Sequence, residues 1–124
     1  MENKLIEMKN DVANIFIADP IYEYITKLAQ ATREHPLIQL GLSPRGALAV
    51  SRMAKAYAYV LDRSYVEPQD VASIFADVTA HRILLSPKAR LSQLTDKDII
   101  NQIVKEVPMP NPKAAPIGPP RRPP

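Results

Sequence analysis

Leu40-Gly41-Leu42-Ser43-Pro44-Arg45-Gly46-Ala47 carries the chain from a loop into the longest helix its sequence supports. Ser43 is an N-cap residue, whose side-chain oxygen can accept from the free N–H groups of a first helical turn. Pro44 follows at the first helical position, where the N–H it lacks would be unpaired anyway. From this start Ala47, Val50, Ala54, Tyr57, Ala58 and Leu61 recur at helical spacing and line one face. Alanines at 47, 49, 54, 56 and 58 imply close approach by neighbouring helices. Asp62-Arg63-Ser64 ends the pattern.

Two residues in that first turn are poor helix-start choices. Arg45 puts a cation at the positive end of the macrodipole, which costs roughly 0.3–1 kcal/mol. Gly46 costs about 1 kcal/mol relative to alanine inside a helix. An anion would justify both, because backbone N–H groups, the dipole and the guanidinium would converge on one phosphate. A solvated arginine beside a glycine needed for packing would justify them equally. The residues alone leave both readings standing.

Working outward, further helix starts punctuate the chain. Asp19-Pro20 repeats the signal, with Asp19 as cap, and Ile21, Ile25, Leu28 and Ala29 follow at helical spacing to about Glu34. His35-Pro36 ends that helix, since a residue before proline is pushed out of the α region. A loop over 37–42 leads into the long helix. Beyond it, Tyr65-Val66 reads as a short extended bridge. Glu67-Pro68-Gln69-Asp70 then opens a helix with acidic groups in its first turn. Val71, Ile74, Phe75 and Val78 form its apolar stripe, and the pattern predicts continuation through His81 to Leu84. A polar loop is expected over 86–94. Thr95 with Asp98 forms a variant of the capping box ahead of Ile99, Ile100, Ile103 and Val104. At the N-terminus a weak helix is expected to about Asn10, followed by an extended connector over 12–17. The fold class is therefore all-α: a small bundle of four main helices plus a weaker N-terminal one, spanning residues 1–107.

Residues 108–124 read differently. Eight of the chain's thirteen prolines lie there, with Lys113, Arg121 and Arg122 and no acidic residue. A Pro-rich, disordered or polyproline-like tail is expected. The net charge of +3 belongs wholly to this tail, because the remaining basic and acidic residues balance at thirteen each. A neutral domain argues against a nucleic-acid partner, which would need a basic face. With no cysteine, disulfides and thiolate metal sites are excluded. No apolar run approaches a membrane span and the N-terminus is too charged for a signal peptide, so a cytoplasmic protein with no membrane partner is expected.

Catalytic chemistry is sparse. His35 and His81 lack the short-range carboxylate or second histidine of a helical metal site. Ser43 has neither a glycine-flanked elbow nor an obvious base, and reads as a cap. No Gly-x-x-x-x-Gly-Lys-Ser/Thr phosphate loop exists among three glycines, so this chain is expected to hydrolyse no nucleotide alone.

The segments Leu28-Ala29-Gln30-Ala31-Thr32-Arg33-Glu34-His35-Pro36 and Leu40 to Ala47 together resemble the C-terminal lid of MoxR-type AAA+ ATPases. The likeness extends through Tyr65-Val66-Glu67-Pro68-Gln69-Asp70-Val71 and Ala80-His81-Arg82-Ile83, covering roughly residues 5–108. The resemblance implies that Arg45 is the sensor-2 arginine, reaching from the lid to the phosphates of ATP bound on an upstream core. Ser43 and Pro44 would fix the helix start, Gly46 would give clearance, and Arg33 and His35 would shape the loop. ATP and Mg²⁺ are implied for the full-length enzyme, with neither held by this chain alone. Implied partners are the upstream AAA+ core, a ring homo-oligomer and von Willebrand A-domain proteins, in chaperone-like assembly or maturation. The Walker A and Walker B motifs and the arginine finger lie outside this sequence, so any active site would be split between domains. The alternative is a stand-alone helical interaction module that recruits a partner through its Pro-rich tail. A histone-like, nucleic-acid-binding arrangement is a further rival, against which the neutral domain argues.

Overall fold

The computed structural model describes residues 2–110, with side chains from residue 7 onward. Six helices occur in this span: α1 (Glu2–Ala13), α2 (Asp19–Glu34), α3 (Pro44–Val60), α4 (Pro68–Thr79), α5 (Pro87–Leu91) and α6 (Asp96–Glu106). Two short strands, β1 (Ile38–Leu40) and β2 (Leu84–Leu85), pair antiparallel in the order β1-β2. The all-α architecture of the sequence reading holds, and the expected helices are present with altered limits.

One core joins them. Ile21, Ile25 and Leu28 of α2 meet Val50, Ala54 and Ala58 of α3, Val71 and Phe75 of α4, and Ile99, Ile100 and Ile103 of α6. All of these side chains are buried, and each large one contributes about 1.5–3 kcal/mol by leaving water. The small residues of α3 let α4 lie close, and that helix pair makes the most extensive contact in the fold. Leu61 was expected on the buried face of α3 but is half exposed, because the helix has ended at Val60.

Several boundaries differ from expectation. α1 continues to Ala13, so the extended connector starts later. Phe16 pairs in parallel with Tyr65 through Phe16 N–H to Ser64 O and Val66 N–H to Phe16 O, both 2.9 Å. The Tyr65-Val66 bridge therefore exists, with the connector as its partner. Asp19 is the first residue of α2 and does not cap it; Ala18 occupies the cap position and makes no side-chain bond. α4 stops at Thr79; Leu84, expected to be the last helical residue, instead pairs together with Leu85 against β1, inside the expected 37–42 loop. The expected polar loop over 86–94 contains α5, started by Ser86, whose Oγ accepts from Ala89 N–H at 3.2 Å. Thr95 and Asp98 form the anticipated reciprocal cap, at 3.1 and 3.2 Å. The expected tail lies outside the described residues from position 111 onward.

No helix among the described residues is long and apolar enough to cross a membrane.

Candidate functional site: the clasped start of helix α3

The start of α3 is held by the end of α2. Thr32 is fully buried in the last turn of α2; its Oγ1 donates to Ala29 O at 2.6 Å and accepts from Leu42 N–H at 2.9 Å. The next side chain completes the grip, with Arg33 Nε donating to Leu42 O at 2.9 Å. Both backbone groups of Leu42 are thus bound by consecutive residues of one helix. Gly41 makes this approach possible. A Cβ there would lie 2.7 Å from the Arg33 backbone, closer than real Cβ atoms come. His35 Nδ1 accepts from Leu37 N–H at 3.1 Å and shapes the same loop from its other end. Arg33 and His35 therefore act on the loop as the sequence reading expected. Thr32 was not anticipated, and only its place inside the Ala31-Thr32-Arg33 element could have signalled it.

Leu42 then fixes the first turn of α3. Its side chain is fully buried, and Gly46 packs against it. A Cβ on Gly46 would run into Leu42 Cδ1 and lie 3.0 Å from its Cγ. Ser43 caps the helix as expected, its Oγ accepting from Gly46 N–H at 3.1 Å, and Pro44 occupies the first helical position. Gly46 therefore has a packing reason inside this chain.

Arg45 is what this frame presents. It is exposed at the second position of α3, and its guanidinium makes no hydrogen bond or ion pair with the described residues. The loop before it is tied down at Leu42, so its backbone origin is fixed while its side chain is unengaged. Ser43 and Pro44 are likewise exposed, forming a polar rim around the helix start. Such a rigid, capped helix end with a free guanidinium can take a phosphate oxygen.

Two predictions test the clasp. Thr32→Val removes the hydroxyl but keeps the shape, leaving Leu42 N–H buried without a partner. It is expected to cost about 1–3 kcal/mol, read as a lower denaturant midpoint. Gly46→Ala gains helix propensity of about 1 kcal/mol but overpacks Leu42, which typically costs about 1–3 kcal/mol. A net fall in Tm is expected by calorimetry, and a rise would mean that Leu42 has room to move.

The second polar cluster is structural. Arg63 donates to both carboxylate oxygens of Asp70, at 2.6 and 2.5 Å, and to Tyr65 O at 3.2 Å. Asp70 is buried at 2% exposure and also accepts from Glu67 N–H at 2.7 Å. The hydrogen bonds to Asp70 hold the Arg63 guanidinium above its ordinary range, against a smaller opposing effect of burial. Among the described residues no group of three or more His, Asp or Glu side chains could hold a metal ion.

The fold and this site define a small helical domain that offers one fixed cation at a helix start. Known proteins identify its class. The AAA lid domain family matches residues 30–103, and the chain belongs to that family. It is 36% identical over 110 residues to the uncharacterized protein YeaC of Bacillus subtilis, covering 89% of this chain and 34% of that protein. It is 29% identical over 121 residues to the chaperone MoxR1 of Mycobacterium tuberculosis, covering 90% and 32%. The solved structure of a candidate ATPase from Cytophaga hutchinsonii superposes with a TM-score of 0.82 at 30% identity, covering 88% of this chain and 36% of that one. The chain is a lid domain of the MoxR type and spans about a third of the length of these relatives.

Proposed function

We propose that this lid senses nucleotide through Arg45, as the sensor-2 arginine of an ATP site whose other contacts lie on an adjoining AAA+ core. The observation that carries the proposal is the pairing of a rigidly held helix start with an unpartnered guanidinium. Thr32 and Arg33 hold the frame, Ser43 and Pro44 set the first turn, and Gly46 keeps that turn tight against Leu42. In this reading the core holds ATP and Mg²⁺, and Arg45 bonds a phosphate oxygen when lid and core close. Once hydrolysis removes that oxygen, the lid is released. ATP supplies the free energy, and this chain supplies one charge and the leverage of a rigid body.

Of the wider role, only the chaperone character follows a relative's name, that of MoxR1; the rest follows the resemblance to MoxR-type ATPases. A cytoplasmic ring ATPase, chaperone-like in the assembly or maturation of other proteins and working with von Willebrand A-domain partners, fits a MoxR-type lid. The test is lid closure in the full-length enzyme, read by fluorescence transfer between a label on exposed Ser73 and one on the core. ATP should shift the transfer in the native enzyme and leave Arg45→Ala unshifted. An equal shift in both would overturn the assignment.

A further inference from the structure

A groove of about 690 Å³ runs between α1 and α3, away from the end of α3 that carries Arg45. Met8, Val12 and Ala13 of α1 supply its apolar side, and Lys9, Arg52 and Lys55 its charged side. Met8 is 47% exposed. None of the three cations forms an ion pair with the described residues. Lys55 instead donates to Ala13 O at 3.5 Å, at the C-terminal end of α1, a favourable place for a cation. At 100° per residue, the mean direction of Glu7 and Asp11 lies about 150° around α1 from that of Met8, Lys9, Val12 and Ala13, with Asp11 beside Met8 at the edge of that face. Asp11 lines a separate pocket with Asp62 and Arg63. Among the described residues, the groove thus has no acidic residue in its lining.

Arg52 and Lys55 stand about 10 and 15 Å along the helix from Arg45. This separates the groove from the helix start where a core-bound phosphate would sit. The Pro-rich tail cannot complement it, since Lys113, Arg121 and Arg122 are unopposed by any acidic residue there. Nucleic acid would satisfy the cations but leave Met8 and Val12 facing phosphates. An acidic strand or helix turn with apolar side chains meets both demands.

We infer that the α1–α3 groove docks an acidic, apolar-bearing segment of a separate protein. The probe is a fluorescein-labelled fourteen-residue peptide with leucine at every third or fourth position and glutamate between. Its anisotropy should rise with this chain, while a lysine-for-glutamate version should not bind. Lys9→Glu/Arg52→Glu, both exposed, should weaken binding about tenfold or more, as two reversed rim charges imply. Met8→Asn should weaken it at least about threefold, because apolar contact is lost. Circular dichroism should report unchanged folding in both variants.

Any of four results would overturn the proposal. Binding insensitive to Met8→Asn would make the groove a general polyanion site, as would equal competition by a DNA oligonucleotide of matched charge. Loss of peptide binding when the lid is part of its assembled ATPase would mean that the groove is covered by the enzyme itself. Absence of binding to this chain would remove the site altogether. None of these outcomes bears on Arg45, so the nucleotide reading stands or falls separately.

Discussion

Replacing Asp70 by alanine is expected to lower the unfolding free energy by about 3 kcal/mol, the largest stability loss argued for a single side chain here. Asp70 is 2% exposed and accepts three hydrogen bonds, two from Arg63 and one from Glu67 N–H. Its removal leaves a guanidinium, only a fifth exposed, with just the longer 3.9 Å pairing to half-exposed Glu67, and the Glu67 N–H without its acceptor. Breaking one side of a buried pair costs about 3–5 kcal/mol, and partial exposure of Arg63 places the loss at the lower end. A domain of this size holds roughly 5–15 kcal/mol in all, so the variant would be marginal at physiological temperature. Chemical denaturation measures it. Arg63→Ala/Asp70→Ala should lose less than the two single changes together, because the second removes the orphan left by the first. A loss below about 0.5 kcal/mol for Asp70→Ala, the size of an ordinary surface change, would contradict this account.

Arg63 can reach Asp70 because of how α3 ends. Asp62 has φ 62°, Asp62 N–H bonds Tyr59 O and Arg63 N–H bonds Ala58 O, both at 2.9 Å. This is the Schellman pattern, built here on aspartate in place of glycine. It turns the chain so that Arg63 faces the first turn of α4. The same closure ends α5, with Gln93 at φ 60° and Leu94 N–H bonding Ala89 O at 3.2 Å.

Those two ends mark what the sequence could and could not disclose. Helix starts were legible because capping is local: Ser43-Pro44, Glu67-Pro68 and Thr95 with Asp98 each declare themselves within four residues. Asp19-Pro20 declared the helix correctly, yet the capping position fell one residue earlier. Ser86-Pro87 was the same signal, missed because α5 has only five residues and buries only Ala89, leaving no stripe to read. The strand at Leu84-Leu85 was hidden in an apolar run that continues the rhythm of α4. Its identity depends on Ile38 and Leu40, more than forty residues away. The end of α3 was legible in the polar break at Asp62-Arg63-Ser64, though no glycine marks its closure, whereas the end built on Gln93 had no such signal.

The candidate site divides in the same way. Arg45 stood out by breaking local rules, and its neighbours Ser43 and Pro44 by keeping them. Gly46 was ambiguous between clearance for a ligand and internal packing. Leu42 supplies the packing reason, which no local pattern could reveal. Asp70 was read only as a favourable charge in a first turn, and its buried pairing with Arg63 required the fold.

The second large effect concerns Arg45, and it runs opposite to that of Asp70. Arg45 is exposed and unpartnered at the positive end of a helix. Alanine there relieves an unfavourable charge of about 0.3–1 kcal/mol and has the best helix propensity. Stability should therefore stay level or rise. Activity should not. A hydrogen bond from a guanidinium to a charged group contributes about 1.5–3 kcal/mol, which corresponds to roughly 10- to 100-fold in rate if it is made in the transition state. Lysine at the same position keeps the charge but not the planar fork, and should restore part of the loss.

Steady-state ATP turnover of the full-length enzyme carrying Arg45→Ala, measured beside its Tm, is the most direct test of nucleotide sensing by this lid. The account predicts turnover reduced at least about tenfold with an unchanged or raised Tm. Native turnover with an unchanged Tm would show Arg45 to be a solvated surface residue and would contradict it.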